Sequence, residues 1–281
     1  MLIKQRRLSL EEKINLFSLF ETGNYTGLGL SKIFPISGTA ISALLKRHGY
    51  ISKSQSELQR KYPIVEDFFD VIDTQEKAYV LGLLYADGYN DTNKNSVALS
   101  LKESDKEILD KITKLIQPSK PLQYINTYKA RQKEGFENSQ NQYRLAISNK
   151  HISQKLTELG CGKAKTHKLT FPTEEQVPNH LIRHFIRGYF DGDGCVSGNK
   201  QKLFSIVGTI NFLIPLQEIL IKELNFSKTK LDQRHKERND NIRSLVYCGI
   251  NQCISFRDWL YKDATIYLER KKIFFDNIGK S

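Results

Sequence analysis

The sequence predicts an α+β protein: a small three-helix domain followed by a duplicated helix-and-strand unit. Three observations predict it. Two apolar, helix-like runs, YVLGLLYADG (Tyr79–Gly88) and FIRGYFDGDG (Phe185–Gly194), both end in Asp-Gly and lie about a hundred residues apart, a period too long for a solenoid or a propeller. After each run the same succession of elements follows. Half of the net charge of +12 falls in residues 1–62, which hold ten Lys and Arg against four Asp and Glu. The domain boundaries that follow are 1–62, 63–172 and 173–281.

The first helix is announced by Ser9-Leu10-Glu11-Glu12, a capping box in which each side chain accepts from the other residue's amide. Ile14, Leu16, Phe17 and Phe20 then form an apolar face, and Gly23-Asn24 stops the helix. A second short helix is expected over Leu28–Phe34. After the turn at Pro35-Ile36, Ser37 caps a third helix that turns Ile41, Leu44 and Leu45 inward and Thr39, Ser42, Lys46 and Arg47 outward. Three short helices with small, polar and basic residues on the third resemble a helix-turn-helix DNA-binding domain. A helical adaptor is the alternative. The Ser-, Gln- and Lys-rich stretch 51–61 reads as a linker.

In the first repeat, Asp73 with Glu76 has capping-box spacing and opens the Tyr79–Gly88 helix. A strand Ser96–Leu101, a helix Ser104–Ile116, two polar strands in KPLQYINTYKAR and NSQNQYRLAIS, and a helix from Lys150 to Leu159 follow. In the second, Asn179 is the expected cap. A strand Lys202–Val207, the helix NFLIPLQEILIKEL, two polar strands in KTKLDQRH and NDNIRSLVYCG, and a helix over Gln252–Tyr261 follow. KTHKLTFP (Lys165–Pro172) answers ERKKIFF (Glu269–Phe275) at the ends. Alternation in the polar strands gives each sheet one buried and one polar face. Gln123, Lys129, Arg131 and Arg144 in the first half, with Lys228, Lys230, Arg234 and Arg243 in the second, are the expected DNA contacts.

Gly82 with Ala86, and Gly188 with Gly192, sit four apart on one helical face, so the two motif helices can pack closely about a pseudo-two-fold axis. Leu83, Leu84, Tyr189 and Phe190 bury into each half's own core, and Gly88 and Gly194 end the helices as left-handed caps. This packing brings Asp87 and Asp193 together at the negative ends of their helices, where each is disfavoured by its helix and by the other. One such Asp-Gly would be a plain helix stop. A matched pair suits a divalent cation, since Mg²⁺ takes carboxylate, water and phosphate oxygens, and such a site beside a phosphodiester supports hydrolysis.

VLGLLYADG and IRGYFDGDG resemble the two signature motifs of the LAGLIDADG homing endonucleases, and KTHKLTFP is similar to segments of that family. The resemblance runs from about Asp73 to the C-terminus. It implies two αββαββα halves whose antiparallel sheets form a saddle over DNA. It also implies catalysis and metal binding at Asp87 and Asp193, with the Gly88 and Gly194 backbones as further ligands. Tyr85 stands where the second copy has Asp191, a position that is not a metal ligand in the family. The implied function is site-specific cleavage of a long double-stranded DNA target by a monomer using Mg²⁺, with Mn²⁺ as a substitute, in the setting of a mobile element. Alternatives are a catalytically silent DNA-binding regulator and an RNA maturase for intron splicing. For the basic residue near the scissile phosphate, Lys102 is the first choice and Lys168 and Lys272 the others.

The apolar runs are too short for a membrane span, and MLIKQRRLSLEEK lacks a signal-peptide core, so no membrane partner and a cytoplasmic site are expected. Cys161, Cys195, Cys248 and Cys253 show no C-x-x-C spacing and are expected as reduced thiols without structural zinc. His180 and His184 have helical spacing but Leu181 stands where a zinc protease needs Glu. Trp259 is expected in the core.

Overall fold

The computed structural model describes residues 7–50, 60–127, 140–197, 202–233 and 241–278. It divides into two compact units, Met1–Pro63 and Ile64–Ser281. Among the described residues no helix is long and apolar enough to cross a membrane.

The first unit is built from α1 (Leu10–Glu21), α2 (Gly27–Leu30) and α3 (Gly38–Arg47). Each is started by a hydroxyl that accepts an otherwise unpaired amide: Ser9 from Glu12, Thr26 from Gly29 and Ser37 from Ala40. Glu12 completes the capping box by accepting from the Ser9 amide at 2.8 Å. The core is Leu8, Leu16, Phe20, Leu30, Phe34, Ile41 and Leu45. Ile14 departs from expectation, being 62% exposed. It lies about 200° round the helix from Leu16, so it cannot share the stripe formed by Leu16 and Phe20. The second helix also ends early, at Leu30, and residues 31–34 continue as a turn.

The second unit holds both repeats. The first runs α4 (Gln75–Asp87), β1 (Gly88–Asp91), β2 (Ser96–Lys102), α5 (Lys106–Ile116), β3 (Gln123–Ile125), β4 (Gln142–Ser148) and α6 (Lys150–Glu158). The second runs α7 (Ile182–Asp193), β5 (Gly194–Ser197), β6 (Leu203–Thr209), α8 (Ile210–Leu224), β7 (Ile242–Cys248), α9 (Ile250–Tyr261) and α10 (Glu269–Asp276). Each half is thus an antiparallel sheet backed by helices, with strand order β1-β2-β4-β3 in one and β5-β6-β7 in the other. On the core side Val97, Leu99, Leu101, Leu145 and Ile147 meet the buried Ile108, Ile112 and Ile116 of α5. Phe204, Ile206, Leu245 and Tyr247 do the same against Phe212, Leu216 and Leu220 of α8. Trp259 is half-buried against this core.

Four local expectations are corrected. Thr74, not Asp73, caps α4, accepting from the Lys77 amide, because Asp73 is drawn outward into an ion pair with the Lys77 ammonium at 2.9 Å. Asn179 does not cap α7: residues Asn179–Leu181 form a 3-10 turn, and the helix starts at Ile182 without a side-chain cap. Gly88 and Gly194 are extended, with φ of −74° and −85°, because each helix runs straight into a strand. Glycine is needed there for space: a Cβ would lie 2.4 Å from the carbonyl oxygen of Leu84 or of Phe190. Lastly, KTKLDQRH contributes only a one-residue bridge between Asp232 and Ser244 among the described residues. Its alternation survives, with Lys228, Lys230 and Asp232 exposed while Leu231 packs on the core.

Candidate active site at the paired helix ends

Helices α4 and α7 touch through their backbones. A Cβ on Gly82 would stand 2.0 Å from the Phe185 carbonyl oxygen, and one on Gly188 1.9 Å from that of Tyr79. Tyr79 and Phe185 open the two motifs, so the contacts are reciprocal, as a pseudo-two-fold requires. Nearer the C-terminal end, a Cβ on Gly192 would fall 2.3 Å from the Ala86 Cβ and 2.9 Å from Asp87 Oδ2. The glycines therefore set how near the two carboxylates come.

Asp87 and Asp193 lie at the open end of this pair and both reach solvent. Protein still crowds them. Burial raises the Asp87 pKa, opposed by Lys271, Lys165 and Arg270, while Asp105 adds to the rise. Burial, then repulsion from Asp87, lifts Asp193 to about 6 against the pull of Lys165 and Lys271. Water reaches both groups and screens part of these interactions. Two carboxylates at two helix C-termini give this end of the pair a concentration of negative charge.

Two lysines complete it, and sequence reasoning missed both. Lys165 Nζ donates to the Gly88 carbonyl at 2.5 Å, and Lys271 Nζ to the Phe190 and Gly194 carbonyls at 2.5 and 2.6 Å. An ammonium at the last turn satisfies carbonyls the helix leaves unpaired and offsets its negative end. Lys271 is buried, and burial pushes its pKa down to about 8 although Asp191, Asp87 and Asp193 pull it up. Each terminal glycine carbonyl is thus engaged by an ammonium. A sequence signal for the pair existed: Lys165 follows Asp87, and Lys271 follows Asp193, by the same 78 residues (165 less 87, 271 less 193).

Lys102, the first choice from sequence, ends β2 opposite Gln142 and is not among the principal cations acting on either carboxylate. Lys168 is exposed, and Lys272 pairs with Asp276 at 2.7 Å. Arg270, also missed, grips Asp105 of the first half through Nε at 2.9 and 3.0 Å.

Of the expected DNA contacts, Thr39, Ser42, Lys46 and Arg47 are exposed along α3 in the first unit. In the first sheet Ser100, Arg144 and Gln123 form one cross-strand row on the face away from the core, flanked by the row Lys102, Gln142 and Ile125. The second sheet differs. On the face away from the core stand the rows Cys195, Ser205 and Val246, then Val207 and Ser244, of which Ser205 and Ser244 are buried, with Lys228 and Lys230 exposed beyond the sheet's edge. Arg243 is a correction: it sits opposite Gly208, in step with the core-facing Leu245, and donates to the Ile242 carbonyl. Lys129, Arg131 and Arg234 lie outside the described residues.

Two helices meeting through glycines, two aspartates at their ends and two sheets beside them define a pseudo-symmetric α+β core. Residues 180–279 match the family model of the LAGLIDADG-like domain. No curated protein sequence matches the chain. Solved structures similar to it include the I-LtrWI LAGLIDADG homing endonuclease bound to target DNA, at 13% identity and TM-score 0.45 over 74% of this chain and 91% of that one. The LAGLIDADG meganuclease I-AabMI bound to uncleaved DNA is similar at 11% identity and TM-score 0.42, over 72% and 88%. The I-SmaMI LAGLIDADG homing endonuclease bound to cleaved DNA is similar at 13% and 0.44, over 72% and 87%.

Proposed function

We propose that this protein is a site-specific double-strand DNA endonuclease of the homing type, working as a monomer with one active site for each strand. The observation that carries the reading is the doubled arrangement of carboxylate and lysine at the ends of α4 and α7. Asp87 with Lys165 and Asp193 with Lys271 repeat one constellation, with the spacing kept to the residue.

The donor set fits a hard divalent cation. Asp87 and Asp193 supply only oxygen, both reach solvent, and their mutual repulsion is relieved by a positive ion between or beside them. Among the described residues no cluster of three or more His, Cys, Asp or Glu competes for it. Mg²⁺, which completes its shell with water and phosphate, suits two carboxylates better than a metal needing a full protein cage. When bound, the cation activates water and stabilises the leaving oxygen. The chain's own residues do the rest. Asp87 and Asp193 hold the metal and orient water, and Lys165 and Lys271 neutralise charge growing on the phosphate. The Arg144 and Gln123 row and the Lys228–Lys230 edge hold the duplex, and α3 of the first unit extends the footprint through phosphate contacts.

The test is selection of cut molecules from a randomised duplex library by the wild-type chain in Mg²⁺, against EDTA. The chosen duplex is then given to Asp87→Asn, Asp193→Asn, Lys165→Ala and Lys271→Ala. Metal-dependent double-strand cuts that become nicks in the single variants support the reading. Tight duplex binding with no cutting in Mg²⁺ or Mn²⁺ would replace it with a DNA-binding regulator, and preferential binding of structured RNA with a maturase.

A further inference from the structure

At two aligned positions the motifs exchange an uncharged side chain for a charged one. Leu81 and Tyr85 of α4 correspond to Arg187 and Asp191 of α7, so the second copy places a charged i, i+4 pair where the first has apolar bulk. Both charges are buried, Arg187 completely and Asp191 at 2% exposure. An ion so placed is retained only when its donors or acceptors are satisfied. Here four of the partners come from one stretch, residues 260–268, which runs from the end of α9 to the start of α10.

Arg187 donates through Nε to the Ile266 carbonyl at 2.9 Å and through Nη1 to the Leu260 carbonyl at 3.2 Å. Nη1 also meets His184 Nδ1 at 2.7 Å, and the guanidinium lies over the Tyr79 ring, 5.4 Å from its centroid. Asp191 accepts from the Leu268 amide at 2.8 Å, from the Tyr79 hydroxyl at 2.7 Å and from the Tyr261 hydroxyl at 3.5 Å. One motif helix therefore grips residues 260–268 at three backbone points. Helix α10 begins at the next residue, Glu269, and its first turn carries Lys271 to the end of that same α7. In the first half the equivalent segment is held differently, by Tyr85 donating to the Leu159 carbonyl and Cys161 to that of Leu84.

We propose that Arg187 and Asp191 are positioning residues for Lys271, clamping residues 260–268 so that α10 presents its ammonium at the Asp193 end of α7. The clamp reaches across the pseudo-two-fold axis, because the hydroxyl that fixes Asp191 belongs to Tyr79 of the first motif. This rests on the endonuclease reading above.

The experiment is single-turnover cleavage of the selected duplex at saturating protein, with each strand labelled separately. Lys271→Ala identifies the strand served by the second site and Lys165→Ala the other. Asp191→Asn, and Tyr79→Phe as the milder variant should Asp191→Asn fail to fold, are each expected to slow the Lys271 strand. The expected loss is about 10- to 100-fold, since a displacement of about 1 Å in a positioned group costs on that order. Duplex affinity and the rate on the Lys165 strand stay within about twofold of wild type. Arg187→Lys, which keeps charge but not the planar fork, falls between. A purely structural role would slow both strands together, and that result, or slowing confined to the Lys165 strand, overturns the clamp while leaving the endonuclease reading intact. A wild-type chain that cuts no duplex overturns both.

Discussion

Replacing Gly188 by Ala tests the closeness of the helix pair directly. The added Cβ would sit 1.9 Å from the Tyr79 carbonyl oxygen and 2.8 Å from the Leu83 amide nitrogen, where ordinary contact begins at 3.4 Å. Both obstacles are backbone, so no side chain can rotate away, and α4 and α7 must part by about 1.5 Å. Overpacking of this kind costs about 1–3 kcal/mol. The upper end applies, because parting the helices also loosens the aromatic contacts of Tyr189 and Phe185 with Phe212 behind them. For a unit of this length about 3 kcal/mol lowers Tm by about 6–12 °C. Gly162→Ala is the control: its Cβ would meet only Thr157 Cγ2, at 3.7 Å. Thermal unfolding followed by circular dichroism compares the two. If Gly188→Ala melts within about 1 °C of Gly162→Ala, about the effect of a neutral surface change, the close approach of the helices is wrong.

Three other outcomes follow from buried polar groups and from the polar sheet. Burial, and then Arg187, lower the His184 pKa from 6.5 to about 4. Between those values the unfolded chain binds more protons, so this contribution is whole above pH 6.5 and is lost as pH falls toward 4. Denaturant unfolding at pH 7 and pH 5 should differ by about 1–2 kcal/mol more in wild type than in His184→Gln. Asn90 is 2% exposed, donates to the Ser153 and Cys161 carbonyls at 3.0 Å each and accepts from the Ser153 hydroxyl, tying β1 to α6. Asn90→Ala leaves those groups unpaired and should cost about 3 kcal/mol in urea unfolding. Arg144→Ala should weaken duplex binding and reduce the slope of log affinity against log salt by about one if its contact is to phosphate. An unchanged slope with relaxed sequence preference would instead assign Arg144 to a base edge.

What was legible in the sequence was local or repeated. Ser9 and Ser37 announce their helices because a cap needs only the next three residues, and Asp87 and Asp193 stand out because the chain says the same thing twice. The choice between Asp73 and Thr74 was not legible, since both offer an oxygen at the right place and a lysine one turn on decides between them. Gly88 misled for a different reason. Its usual meaning is a left-handed stop, but here it answers a crowded carbonyl behind it. Lys165 and Lys271 act across long stretches of chain, and matching segment ends rather than distances from the aspartates put the comparison out of step. Arg187 looked like one more basic residue of a basic protein, because its partners are backbone carbonyls that carry no mark in the sequence.

The glycine contact and the polar contacts across it divide a task. Gly82 and Gly188 let any helix with a bare face dock, and by themselves would accept either half as a partner for itself. Tyr79 against Asp191, and Gln75 against Arg187, would not. In a pair of second halves Asp191 would face Phe185, which has no hydroxyl to offer a buried carboxylate; in a pair of first halves Tyr79 would face Tyr85, whose hydroxyl is already committed to Leu159. The two halves are alike enough in shape to trade places at the seam, and these few polar contacts tell them apart. Chimeras that graft one half onto a foreign partner should therefore inherit the shape of the seam but not its chemistry, unless both of these pairs travel with it.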